Sequence, residues 1–246
     1  MARTFTCSCQ YQVGAPDVDG LVGPVKAHFD EAHPDLGINE VSVRNYLEAE
    51  VRLSPEKERL SDIGEVRVVP IRPERMEEIA EFMDHRAYAD YPAWAGCYCM
   101  YFFLGGHGNP AWGDRYWEDN RRDMLDRVAS GRVTGSLAFV DGRLVGWCNA
   151  TGRGEFPSLA TGDDDGIGSV VCFLIAPPYR GHGLAARLLE GALAELKSLG
   201  YASAEAYPSG ATAPWERAFT GTLDLYLEAG FEMTKEDPLT VGISLA

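Results

Sequence analysis

The sequence that decides the fold is Phe173-Leu-Ile-Ala-Pro-Pro-Tyr-Arg-Gly-His-Gly-Leu-Ala-Ala186, an apolar segment that runs into a glycine-rich turn. Residues 170–175 are apolar throughout and predict a buried strand. Leucines after the turn recur at helical spacing until Gly200, which predicts a long helix. A strand that leads through such a turn into a helix presents unpaired backbone N–H groups at the positive end of the helix dipole. The sequence therefore predicts an anion-binding turn of the kind that holds a pyrophosphate.

The residue pattern of this turn also fits two other interpretations. Gly181-His-Gly183-Leu-Ala-Ala186 satisfies the dinucleotide-binding pattern G-x-G-x-x-A, and Glu205 lies about where that pattern expects a ribose-binding acid. That pattern has its first glycine directly after the strand, whereas residues 176–180 intervene here. A further interpretation is a structural strand, turn and helix that bind no ligand.

Composition and charge restrict the class of protein. Apolar residues make up 46% of the 246, which is enough for a core without disulfides. The 22 basic and 37 acidic residues give a net charge of −15, which disfavours a nucleic-acid partner. No apolar stretch approaches the roughly 20 residues of a membrane helix, and the amino terminus lacks the apolar region of a signal peptide. We therefore expect a cytoplasmic protein with no membrane partner, whose cysteines are thiols or metal ligands.

The polar segment 54–62 divides the chain into two expected domains, residues 1–63 and residues 64–246. In the first, helices are expected from Leu21 to Pro34 and over 42–53. In the second, Asp141-Gly142 is a strong hairpin signal between strands 136–140 and 144–150. The other expected elements are a strand at 66–71, helices at 73–86 and 115–128, a strand at 201–206, an irregular stretch at 208–217, a helix at 222–229 and two final strands.

Three features in order resemble the GNAT N-acetyltransferase superfamily over residues 65–246. Arg180-x-x-Gly183-x-Ala185 resembles the acetyl-coenzyme A signature of that family. Phe173-Leu-Ile-Ala-Pro177 is similar to the end of its fourth strand, and Leu225-Tyr-Leu-Glu-Ala-Gly-Phe231 to its late tyrosine and Gly-Phe pair. The resemblance implies an α/β (α+β) fold with a mixed, mostly antiparallel twisted sheet flanked by helices. It also implies acetyl-CoA as cosubstrate.

The resemblance assigns roles to particular residues. Backbone groups of Phe173, Leu174 and Ile175 are expected to pair with pantetheine and to help polarise the thioester. Tyr226 matches the tyrosine that protonates the departing coenzyme A, and a phenol suits that role. The pyrophosphate is expected at the turn, held by the residues Arg180, Gly181, His182, Gly183, Leu184 and Ala185.

The acceptor side is less defined by the sequence. Glu205 and Glu155 are the carboxylates considered for the general base, and each has an ordinary polar role as its alternative. The acidic run Asp163-Asp-Asp165 is also suited to attracting a cationic amine. The expected acceptor pocket comprises Tyr98, Tyr101, Trp147 and Asn149, for which burial in the core is the alternative. Phe219 stands where the family commonly has asparagine, and Thr222 where it has alanine, which puts cofactor contacts in that region in doubt.

The amino-terminal domain carries a set of soft metal ligands. Cys7-x-Cys9 followed by His28-x4-His33 supplies two sulfur and two imidazole donors, which suit a closed zinc site in a domain with a small core. The alternative is a pair of free thiols and two histidines at a helix end. Residues 5–36 resemble a family of small predicted metal-binding domains. Cys97 and Cys99 form a second pair, but they have no nearby histidine and are expected to be buried thiols.

The sequence thus favours an acetyl-CoA-dependent N-acetyltransferase that acts on a primary amine of a small molecule, by direct attack on the thioester. The alternative is a module that binds acyl-CoA or senses a metal without turnover. A metal-dependent hydrolase is disfavoured, because neither H-E-x-x-H nor G-x-S-x-G occurs in the sequence.

Overall fold

The computed structural model describes residues 2–106, 109–162, 164–209 and 218–245. Asp163 of the acidic run and residues 210–217 of the expected irregular stretch lie outside the described residues. Within the described part, no helix combines the length and the apolar character that crossing a membrane requires.

The first part of the chain is a two-stranded hairpin packed against two helices. Its elements are β1 (Arg3–Thr6), β2 (Gln12–Ala15), α1 (Val18–Ala32) and α2 (Glu40–Arg52). The side chains of Asp17 and Asn39 cap the amino ends of the two helices by accepting a backbone N–H. A small core of their own holds these elements together, formed by Phe5, Cys7, Leu21, Val22, Val25, Val43 and Leu47.

The rest of the chain forms a seven-stranded sheet with helices on both faces. Its strands are β3 (Val66–Pro70), β4 (Gly135–Val140), β5 (Arg143–Gly152), β6 (Ile167–Ile175), β7 (Ser203–Ala206), β8 (Glu232–Glu236) and β9 (Leu239–Ser244). Its helices are α3 (Met76–His85), α4 (Met100–Phe103), α5 (Pro110–Gly113), α6 (Trp117–Ala129), α7 (Leu184–Ser198) and α8 (Leu223–Glu228). The strand order is β3-β4-β5-β6-β7-β9-β8, and β6–β7 is the parallel pair. The prediction of a mixed, mostly antiparallel sheet is confirmed.

Two clusters of buried side chains cover the two faces of the sheet. On one face α7 packs its leucines against residues of β4, β5 and β6, and Tyr226 of α8 joins this cluster. On the other face, side chains of α3, α4 and α6 pack together with Leu137, Trp147 and Val171. The central strands β4, β5 and β6 are therefore buried on both faces.

The hairpin predicted at Asp141-Gly142 is present. Asp141 has φ +48° and Gly142 has φ +81°, the left-handed pair that a two-residue hairpin turn needs. Strand β6 begins at Ile167, three residues before the start of the predicted strand. The reason is that β5 extends to Gly152, which pairs with Gly168 of β6. The expected helices at the amino terminus, after Pro73 and around residue 120 are also present.

Helix α2 contacts the seven-stranded part of the molecule. The Asn45 side chain donates to the carbonyl of Arg115 and accepts the N–H of Trp117. Arg52, at the end of the same helix, donates to the carbonyls of Asp84 and Ala95. The division into domains 1–63 and 64–246 stays a prediction, and the two parts pack together through α2.

Candidate active site and metal site

The sheet opens between β6 and β7. These strands pair from Ile167–Ser203 to Val170–Ala206, after which β7 ends and β6 continues for five residues. On its other edge β6 has a bulge at Val171, because Cys172 pairs with Asn149 and Val170 pairs with Ala150. Beyond the bulge, the N–H of Phe173 is directed into the opening and donates to the Phe219 carbonyl at 2.6 Å.

The glycine-rich turn that follows β6 has the backbone conformation that an anion site requires. Gly181 has φ +81° and Gly183 has φ +72°, values that residues with a side chain rarely adopt. Gly183 is the N-cap of α7 and provides no side chain to cap the first N–H groups of the helix. Space is open around Gly183, since no atom lies within 4 Å of the position that a Cβ would take. The amino end of α7 is therefore accessible to an anionic ligand.

A groove of about 380 Å³ runs from β6 past the turn to α8. Its lining residues are Phe173, Ile175, Arg180, Gly181, Gly183, Leu184, Ala185, Ala186, Ala218, Phe219, Gly221, Thr222, Asp224, Leu225 and Glu228. Most of the predicted cofactor residues thus share one groove. Leu174 does not line it, because its side chain packs in the core on the opposite face of the sheet. His182 does not line it either; its Nε2 atom lies 3.0 Å from the carbonyl oxygen of Leu60.

Arg180 stabilises the turn from behind. Its Nε donates to the carbonyl of Ile175 at 2.8 Å, and its two terminal nitrogens bind the carboxylate of Asp90 at 2.6 and 3.0 Å. The guanidinium is therefore occupied by protein groups at the edge of the groove. Sequence reasoning missed Asp90, because ninety residues separate the partners and nothing in the local pattern around Asp90 marks it.

Tyr226 lies directly behind the wall of the groove. It is fully buried, its ring contacts those of Phe173 and Phe231, and its hydroxyl donates to the Thr220 carbonyl at 2.7 Å. Burial raises the pKa of the Tyr226 phenol well above its ordinary value of 10.0. The hydroxyl thus keeps its proton at neutral pH, next to the strand end where the groove and the opening meet.

A second cavity, of about 240 Å³, lies on the opposite face of the sheet at the same opening. Its lining residues are Tyr88, Trp94, Cys97, Cys99, Tyr101, Phe102, Val171, Cys172, Ser209, Phe219 and Thr220. Phe219 lines both this cavity and the groove, and its ring packs against those of Tyr88, Tyr91 and Trp94. Burial raises the pKa of the Cys97 thiol to about 12 and that of Cys99 well above its usual range, so both are neutral.

The residues predicted for an acceptor pocket separate into two groups. Tyr101 lines the second cavity. Tyr98, Trp147 and Asn149 are at most 1% exposed and lie inside the core. The Tyr98 hydroxyl donates to the carboxylate of Asp84, and the side-chain amide oxygen of Asn149 accepts from the Thr151 hydroxyl.

Both predicted carboxylates are paired with arginines. Glu205, on β7, accepts from Arg153 at 3.0 and 3.1 Å, and the same guanidinium binds Asp164 at 2.6 Å. Glu155 pairs with Arg127 at 3.2 Å and its side chain is 43% exposed. Nothing in the local sequence marks either arginine as the partner of these carboxylates.

The two cysteines and two histidines of the amino-terminal part meet at one point. Cys7 and Cys9 flank the β1–β2 turn, while His28 lies in the last turns of α1 and His33 caps its end. The Cys7 Sγ lies 3.4 Å from His33 Nε2, the Cys9 Sγ lies 3.4 Å from His28 Nε2, and all four ligand atoms are within 4.8 Å of one another. Tetrahedral zinc, with bonds of about 2.3 Å to sulfur and about 2.0 Å to nitrogen, separates such atoms by about 3.6 Å, so this donor set fits the ion.

The thiol environment agrees with this donor chemistry. Hydrogen bonding from the Cys9 backbone, followed by that from His28, lowers the pKa of Cys7 to about 6. The His28 ring also stacks on Tyr11, with 4.0 Å between ring centroids, which fixes its orientation. Thiolate sulfur is the form that binds zinc.

Comparison with known proteins gives a family match. The sequence profile of the acetyltransferase (GNAT) family matches residues 91–217, just over half of the chain. No curated protein matches the sequence. Similar solved structures include an N-acetyltransferase from Staphylococcus aureus Mu50, at 13% identity and a TM-score of 0.46 over 74% of this chain and 100% of that one. A putative acetyltransferase, yncA, from Salmonella typhimurium, solved with acetyl-CoA, has 12% identity and a TM-score of 0.46 over 74% and 94% of the two chains. The paia N-acetyltransferase from Thermoplasma acidophilum, in complex with coenzyme A, has 14% identity and a TM-score of 0.43 over 73% and 99%.

Proposed function

Because this chain belongs to the acetyltransferase (GNAT) family, we propose that it transfers the acetyl group of acetyl-CoA to a primary amine of a small molecule. The observation that carries the proposal is the opening between β6 and β7, with a groove on one face, a cavity on the other, and Phe219 lining both. A thioester in the groove and an amine in the cavity would meet at this opening. Holding two reactants in this way supplies a large part of the rate enhancement of a two-substrate reaction.

The groove is suited to the phosphate and pantetheine parts of acetyl-CoA. Backbone N–H groups of the turn, from Gly181 to Ala185, are the proposed ligands of the pyrophosphate, as the accessible end of α7 supports. The apolar wall formed by Phe173, Ile175 and Leu225 suits the pantetheine arm. We propose that the bound thioester takes over the Phe173 N–H, which donates to the Phe219 carbonyl in the free protein.

The proposed reaction is a direct attack of the neutral amine on the thioester carbonyl carbon. The new C–N bond forms as the carbonyl becomes an oxyanion, which the N–H of Phe173 stabilises. The C–S bond then breaks, the thiolate of coenzyme A takes the hydroxyl proton of Tyr226, and the phenol recovers a proton from solvent. For this step the Tyr226 hydroxyl turns away from the Thr220 carbonyl, its partner in the free protein.

The amine has to lose protons both before and during the reaction. An apolar cavity disfavours the ammonium form and so lowers the pKa of the bound amine. Glu205 and Glu155 are the proposed acceptors of the departing proton, through water. Glu205 is favoured by its position on β7, where Tyr207 lies 3.3 Å from its carboxylate and 2.9 Å from the Ser169 hydroxyl of β6.

The lining of the cavity supports a small amine on an apolar body. Five of the described lining residues are aromatic, three carry thiols, and neither a carboxylate nor a cationic side chain is among them. A polycation bound there would leave buried charges without partners, which is strongly unfavourable. We therefore propose a compact monoamine, and a volume of about 240 Å³ limits its size.

Titration calorimetry on the full chain, with acetyl-CoA and with NADH as a control ligand, is the first test. We expect binding of acetyl-CoA and none of NADH. Thiol release in the presence of 2-phenylethylamine, and much less with spermidine, would support the proposed acceptor. A folded sample that does not bind acetyl-CoA would contradict the proposal. Binding without thiol release from any of a broad set of amines would instead favour a module that binds acyl-CoA without turnover.

A separate observation favours a second function for the amino-terminal part. We propose that Cys7, Cys9, His28 and His33 hold one structural zinc ion, because their ligand atoms already lie at distances that suit a tetrahedral site. The ion would join the β1–β2 turn to the end of α1, in a part of the chain whose own core is small. Zinc analysis of the purified chain tests this, with one equivalent expected. A protein that has no zinc, and whose unfolding temperature does not change when zinc is added, would contradict it.

A further inference from the structure

The segment that joins the two parts of the chain, residues 54–63, lies along the outside of the glycine-rich turn. We infer that Arg59 of this segment binds the pyrophosphate of acetyl-CoA together with the N–H groups of the turn. This inference rests on the proposed function. It extends the cofactor site to a residue outside the region matched by the family profile.

Three contacts fix the segment beside the turn. The N–H of Leu60 donates to the Pro178 carbonyl at 2.9 Å, and the Leu60 carbonyl lies 3.0 Å from Nε2 of His182. The side chain of Ile63 packs in a small cluster with Leu184, the first residue of α7. Glu56, on the other side of Arg59 in the sequence, pairs with Arg143 at 3.2 Å, so Arg59 lies between anchored residues and is not carried on a free loop.

The Arg59 side chain lies against the turn itself. Its Nη1 atom is 2.8 Å, and its Cδ 3.4 Å, from the position that a Cβ on Gly181 would occupy. A residue larger than glycine at position 181 would collide with this guanidinium as well as strain the backbone. Arg59 thus stands next to the N–H groups that are proposed to hold the pyrophosphate.

The guanidinium of Arg59 is available to a ligand, whereas that of Arg180 is not. Arg180 is held by Asp90 and by the Ile175 carbonyl. No ion pair joins Arg59 to any carboxylate within the described residues, and its side chain is exposed. The family-signature arginine therefore braces the turn, whereas the guanidinium of Arg59 lies beside Gly181 and joins no ion pair among the described residues.

Charge gives a reason for a cation at this place. The chain has a net charge of −15, and its field opposes the approach of coenzyme A, whose phosphates carry about four negative charges at neutral pH. A planar guanidinium donates two parallel hydrogen bonds to a phosphate, which is a stronger and more specific contact than a single N–H makes.

Two substitutions separate the charge of Arg59 from its packing on Gly181. Arg59→Met keeps an unbranched stem and removes the charge, while Arg59→Lys keeps the charge and removes the planar fork. Lys57→Ala is the matched control, since it removes one positive charge from the same exposed segment. Calorimetry on the full chain measures the Kd of coenzyme A and of dephospho-coenzyme A, which retains the pyrophosphate and lacks the 3′-phosphate.

We expect Arg59→Met to weaken both ligands about tenfold, Arg59→Lys about threefold, and Lys57→Ala less than about twofold. Unfolding temperatures equal to that of the unsubstituted protein show that each variant is folded. The inference is overturned if Arg59→Met binds like the unsubstituted protein, if Arg59→Met and Arg59→Lys weaken binding equally, or if the loss disappears with dephospho-coenzyme A. The proposed function fails separately, when the unsubstituted chain does not bind coenzyme A at all.

Discussion

Tyr226→Phe removes one oxygen atom from the site and leaves the aromatic packing in place. The lost hydroxyl is fully buried and donates to the Thr220 carbonyl at 2.7 Å. The substitution therefore deletes one buried hydrogen bond and leaves the carbonyl without that donor, at a cost of about 1 kcal/mol of unfolding free energy. In a chain of this size that corresponds to a decrease of about 2–4 °C in Tm.

The effect on turnover is expected to be much larger than the effect on stability. General acid catalysis by a positioned side chain contributes about 10²- to 10⁴-fold to a rate, so kcat should fall by at least about 100-fold. Tyr226 lies behind the groove and does not line it, so the Kd of acetyl-CoA should change by less than about twofold. Thiol release gives kcat, calorimetry gives Kd, and thermal unfolding gives Tm.

Tyr46→Phe is the matched control for this experiment. It removes the same atom from a tyrosine of α2 that does not line the groove and whose hydroxyl donates to Glu50 at 2.9 Å. Its kcat should equal that of the unsubstituted protein. A Tyr226→Phe variant with unchanged kcat would refute the acid role, and equal losses in kcat and in acetyl-CoA affinity would show that the hydroxyl only supports the fold.

Three further changes test the groove, the cavity and the metal site. Gly183→Ala puts a side chain at φ +72° in open space, so we expect only the backbone strain of about 1–2 kcal/mol in urea unfolding, together with weaker acetyl-CoA binding by calorimetry. Phe219→Ala keeps the carbonyl that faces Phe173 and removes the wall shared by groove and cavity, so the KM of the amine should rise about tenfold, more than the Kd of acetyl-CoA changes. Cys9→Ser should reduce zinc content from one equivalent to near zero, whereas Ser8→Ala should keep it; retained zinc in Cys9→Ser would contradict the proposed ligand set.

The sequence predicted those parts of the fold that local rules determine. The turn at Asp141-Gly142 was predictable because a two-residue hairpin turn needs positive φ at both positions, and the Asp-Gly pair adopts such values readily. The strands on both sides follow from the turn. The helix after Gly183 was predictable because its leucines recur at helical spacing and Gly200 ends it. The backbone conformation of such short segments depends mainly on their own residues, so these elements can be predicted without reference to the rest of the chain.

Side-chain partners across the fold could not be predicted in this way. Arg180 and Asp90 are ninety residues apart, and the sequence around each of them does not indicate which carboxylate pairs with which guanidinium. The resemblance places Trp147 in an acceptor pocket on the hairpin, with burial in the core as the alternative. Strand β5 is buried on both faces and the side chain lies in the core. When a strand is buried on both faces, alternation of apolar and polar residues no longer distinguishes a pocket wall from core packing.

Phe219 connects the predicted groove with the cavity that Tyr101 lines. Where the resembled family commonly has asparagine, this chain uses the backbone carbonyl of Phe219 to accept the N–H of Phe173. Its ring packs on Tyr88, Tyr91 and Trp94 at the wall of the cavity. Phe219 therefore provides a backbone hydrogen-bond acceptor at the groove and an aromatic surface in the cavity. A position that departs from the motif thus joins the groove to a cavity that the motif itself does not describe.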